Sequence, residues 1–189
     1  EGGIRFNPGS PLDDAPASAP TGTLNDWIRV KQDLDSGAIN MMMLRQANPV
    51  YGLPDQLRFR EAIDTASDLF VASFSPFMDE TTAMADLILP DRTSLEEWGD
   101  DIPEPGPGYQ VVGFQQPVVN PFHELDPKSF PDLLLTMAQE LGKEEDLPWP
   151  NYRSMLREGS DVLFALNRGS IQAATADDFW NQLLQRGGW

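Results

Sequence analysis

From Thr23 to Pro90 the chain alternates helix-period apolar stripes with short apolar runs, and this alternation leaves few folds open. Leu24, Trp27, Ile28, Lys31 and Leu34 share one helical face, with Thr23 as an N-cap and Gly37 at the far end. Ile39 to Leu44 is a continuous apolar run broken only by Asn40, suited to a strand buried on both faces. Pro54-Asp55 then opens a second helix with Phe59, Ala62, Ile63 and Ala66 in one stripe, and Leu69 to Phe74 follows as a second strand. Asp79 is placed to cap a short helix through Ala85, and Leu87 to Leu89 is a third strand stopped by Pro90. Helix and strand alternating in this way predict an α/β fold with a parallel sheet.

After Asp100 the pattern changes. Ile102 to Gly108 carries three prolines and two glycines and reads as a loop, and Tyr109 to Val119 reads as an extended, hairpin-like arm over the sheet. Ser129 caps an amphipathic helix with Phe130, Leu133, Leu134, Met137 and Leu141 on one face. Two more helices are expected at 152–166 and 176–185. The organisation is thus an extended lead-in at 1–22, an α/β domain at 23–100, and an arm with trailing helices at 101–189 that pack on it. The chain opens at Glu1 rather than Met and begins mid-loop, which reads as an excised piece of a longer protein.

Composition narrows the partners and the chemistry. A net charge of −17 over 189 residues repels nucleic acid and anionic membrane surfaces. No apolar run approaches the roughly 20 residues that span a bilayer. With no cysteine, the chain supplies no disulfide, no thiolate nucleophile and no thiolate ligand for zinc or an iron–sulfur cluster. One histidine, His123, makes a Ser-His-Asp arrangement or a multi-histidine metal site a weak candidate. His123, Glu124 and Asp126 offer at most a loose metal set, better explained as a surface loop. The acids Asp100, Asp101 and Glu104, and Glu144 to Asp146, lack EF-hand spacing. Met41 to Met43 reads as packing.

Two turns lie where open α/β sheets place ligands, at the carboxyl ends of strands. Gln46 to Pro54 holds Asn48-Pro49, a turn able to offer backbone N–H groups to a nucleotide, although Asn-Pro also simply starts turns. Ser73 to Asp79 leads into Asp79-Glu80-Thr81, acids able to meet sugar hydroxyls or a guanine edge, or to act as ordinary helix-start residues. A phosphate would avoid Asp79 and Glu80, so any phosphate contact would come from backbone.

Taken in order, Ala47-Asn48-Pro49, Val71 to Phe74, Asp79 to Thr81, Ala85 to Pro90, Leu95 to Gly99 and Gln115 to Val119 resemble the molybdopterin oxidoreductase superfamily. Phe179-Trp180 and Gly187-Gly188 extend the likeness, which covers the chain from about residue 24 onward. Ala47 to Tyr51, Ser73 to Thr82 and Leu95 to Asp100 are similar in particular to the molybdopterin-like iron–sulfur subunit of alternative complex III. That resemblance implies a partial parallel-sheet domain of the dinucleotide-binding type, serving as a scaffold region in a membrane-associated respiratory or photosynthetic quinol-oxidising complex. Its iron–sulfur clusters would lie elsewhere in the subunit, no redox centre in this chain, and its location would be the periplasmic face of the cytoplasmic membrane after twin-arginine export.

A catalytic relative of the polysulfide, thiosulfate or tetrathionate reductase type would instead hold molybdopterin guanine dinucleotide here. Asn48, Pro49, Ser75, Asp79 and Thr81 would then be the binding residues, chiefly through backbone groups near Asn48 and Ser75. A third reading, independent of the resemblance, is a non-enzymatic acidic α/β domain that binds proteins through its Trp- and Pro-rich arms.

Overall fold

The fold is taken from a computed structural model, which describes residues 22–102, 110–122 and 124–189. The predicted lead-in up to residue 21, the loop at 103–108, Tyr109 and His123 lie outside the described residues. The rest divides into two compact units, one holding residues up to Arg92 with Phe122–Phe130, the other Thr93–Pro121 with Pro131–Trp189.

The first unit is built on three parallel strands in the order β1 (Met41–Arg45), β2 (Phe70–Phe74), β3 (Leu87–Ile88). Helix α1 (Leu24–Asp35) starts at a capping box in which Thr23 and Asp26 bond each other's backbone ends, and it ends before Gly37 at φ +72°. A short helix α2 (Pro49–Gly52) occupies the turn after β1. The expected helix from Pro54 is broken: a 3₁₀ turn (Asp55–Leu57) runs to Arg58 at φ +49°, and α3 (Phe59–Thr65) begins there. The Asp79 turn likewise closes as a 3₁₀ segment (Thr82–Met84) rather than an α-helix.

Leu34, Phe59, Ala62 and Ile63 meet Leu44 and Val71 in one buried cluster, so α1 and α3 both cover the same face of the sheet. This corrects the expectation that β1 is buried on both faces. Met42 packs into that cluster, whereas Met41 and Met43, on the other face, are exposed.

In the second unit the expected arm is an antiparallel ribbon of β4 (Gly99–Asp101) and β5 (Gly113–Gln115). Val112 and Phe114 enter a core with Leu156 and Leu163 of α5 (Tyr152–Ala165) and Phe179, Trp180 and Leu183 of α6 (Ala176–Arg186). The chain end returns to this ribbon: Val112 and Trp189 exchange both backbone hydrogen bonds at 2.8 Å. Helix α4 (Phe130–Glu140) buries Leu135 and Ala138, while Leu134 and Leu141, expected on its apolar face, are exposed.

Candidate functional site

In a parallel sheet all carboxyl strand ends fall on one edge, which here carries the turns after β1, β2 and β3. The first two turns are tied together. Thr81, fully buried, donates from Oγ1 to Asn48 Oδ1 at 2.7 Å and accepts from the Val50 amide at 3.1 Å. Asn48 Nδ2 donates to Glu80 Oε2 at 2.6 Å. The Asn48 bond, and then the backbone amide of Glu80 itself, hold the Glu80 carboxyl below its ordinary range, so it stays anionic. Asp79 is a cap: its Oδ1 accepts from the Thr82 amide at 2.7 Å. Ser75 closes a local turn, exchanging hydrogen bonds with the backbone of Phe77. Pro49 is buried at the first position of α2.

The geometry therefore brings Asn48, Pro49 and Thr81 together, with Glu80 added, and leaves Ser75 and Asp79 in separate local bonds. It also bears on the expectation that the first turn presents N–H groups. The amides of Val50, Tyr51, Gly52 and Leu53 all donate to Thr81, Asn48 or Pro49. In this arrangement those donors are engaged within the turns, and the Glu80 carboxylate lies beside them. What the turns do offer outward is apolar: Tyr51, Phe77 and Met78 are 77 %, 73 % and 71 % exposed.

The third turn holds a group that the sequence reading missed. Asp91, three residues past the end of β3, is fully buried and accepts from four donors: Arg45 Nε at 2.8 Å, Gln46 Nε2 at 3.0 Å, and the amides of Arg92 and Phe130 at 3.0 and 3.1 Å. Arg45 also lies 5.0 Å over the ring of Phe130, which packs edge-on against Phe74. Gln46 adopts φ +49°, a left-handed conformation that costs energy for a non-glycine residue and is held here by its bond to Asp91. One carboxylate thus locks the ends of β1 and β3 and the start of α4. An acid directly after an apolar strand and a proline was its only signal.

Among the described residues no group of three His, Asp or Glu side chains is arranged to hold a metal. Asp126 pairs instead with Lys128, whose hydrogen bond and charge lower its carboxyl pKa. In the second unit, a cavity of about 300 Å³ is lined by Asn151, Arg153, Ser154, Arg157 and Trp180. Its polar groups are engaged: Arg157 bonds Asp177 and the Ala176 carbonyl, and Asn151 caps α5. Above it, the indoles of Trp98 and Trp180 stack at 5.9 Å with Arg153 and Arg157 over their faces. This is packing of the kind that closes a core edge.

Fold and edge define a parallel α/β domain of the nucleotide-binding class whose turns are closed on each other. Comparison with known proteins gives that class a family. No protein-family model matches the chain. It is 32 % identical over 131 residues to the menaquinone reductase molybdopterin-binding-like subunit of Nitratidesulfovibrio vulgaris, covering 69 % of this chain and 18 % of that protein. A tetrathionate reductase subunit of Salmonella typhimurium is 30 % identical over 139 residues, 71 % of this chain and 12 % of that one. Acetylene hydratase from Pelobacter acetylenicus shares the fold, with a TM-score of 0.52 and 20 % identity over 65 % of this chain and 16 % of its own. The chain belongs to the molybdopterin oxidoreductase superfamily. It spans less than a fifth of the length of each of these relatives.

Proposed function

We propose that the chain is a scaffold region of the molybdopterin-like subunit in a membrane-associated, quinol-oxidising complex of the alternative complex III type. The observation that carries this reading is the mutual closure of the two ligand-edge turns through Asn48, Thr81 and Glu80. A domain that keeps the nucleotide-binding fold while spending its ligand-edge amides internally serves as a body for other parts. The name of the Nitratidesulfovibrio relative, a molybdopterin-"binding-like" subunit of a menaquinone reductase, supports a place in a quinone-linked complex, although that name denotes reduction of the quinone rather than oxidation of the quinol. With no cysteine in this chain, its redox centres are iron–sulfur clusters held elsewhere in the assembly. The assembly sits at the outer face of the cytoplasmic membrane. Among the described residues no helix is long and apolar enough to cross it.

The likeness to the tetrathionate reductase protein favours a second reading, a catalytic molybdopterin guanine dinucleotide enzyme. Asn48, Pro49, Ser75, Asp79 and Thr81 would then hold one arm of the dinucleotide, which would require the two turns to open. Asn48→Ala with Asp79→Asn in the intact complex separates the two. The scaffold reading expects quinol oxidation and pterin content unchanged in complex that still assembles. Loss of pterin in assembled complex would refute it in favour of the catalytic one.

A further inference from the structure

We draw no further inference here: the strongest candidate, the cavity of about 300 Å³ at the start of α5 lined by Arg153, Arg157 and Trp180, carries nothing, because Arg157 and Asn151 are already bonded within the second unit and nothing among the described residues points to a ligand there.

Discussion

Asp91 provides the sharpest test of how the ligand edge is held. Replacing it with alanine removes the acceptor of four donors at once. Arg45 is about a third exposed and Gln46 is exposed, so both regain water and their loss counts at the surface scale of about 0.5 kcal/mol each. The amides of Arg92 and Phe130 lie further in, and each lost hydrogen bond costs about 1 kcal/mol. The sum is about 3 kcal/mol, at the low end of the range for breaking a buried pair.

Hydrogen exchange of the amides in β1 and β2 reports the stability of this unit separately from the other, and that loss corresponds to exchange roughly 150-fold faster. Asp91→Asn keeps one acceptor for the two amides and is expected to lose about half as much free energy. Acceleration of the Asp91→Ala variant by less than about threefold would refute the idea that one carboxylate ties the edge together.

Other expectations follow from the same structure. Thr81→Val removes the hydroxyl that joins Asn48 to the Val50 amide and should cost about 1–2 kcal/mol, seen as faster exchange of that amide. Gly188→Ala would put a Cβ 2.6 Å from the Val112 carbonyl oxygen and should destabilise the second unit by about 1–3 kcal/mol in urea melts followed by tryptophan fluorescence. Because Glu80's folded pKa is depressed, its bond to Asn48 contributes fully above the unfolded carboxylate value. That contribution is lost as pH falls through the folded one. A carboxyl NMR titration should therefore place Glu80 below 4.5, and Asn48→Ala should move it back up.

How much of this was legible depends on whether a residue's role is local. Thr23 and Asp26 cap α1 across three residues, and Phe59, Ala62 and Ile63 repeat at helical spacing, so periodicity found both. The strands at Met41–Arg45 and Phe70–Phe74 were visible as apolar runs, but which face would be covered was not. That depends on α1 and α3 choosing the same side. In α4 the run Leu133-Leu134-Leu135 allows more than one apolar stripe, and packing selects Leu135 with Ala138. At the site, Asn48 and Thr81 were named as candidates for binding a ligand. Their bond to each other, 33 residues apart, has no local signature. Asp91 was missed for the same reason: its partners are 45, 46 and 39 residues away and only the fold assembles them.

The central claim, a nucleotide-binding fold retained as scaffold, is tested most directly by elemental analysis of the complex purified through this chain and active in quinol oxidation. Iron without molybdenum is the predicted result, with the electrons carried by clusters outside these residues. Stoichiometric molybdenum in active complex would contradict it and establish the turns around Asn48 and Thr81 as a working cofactor site.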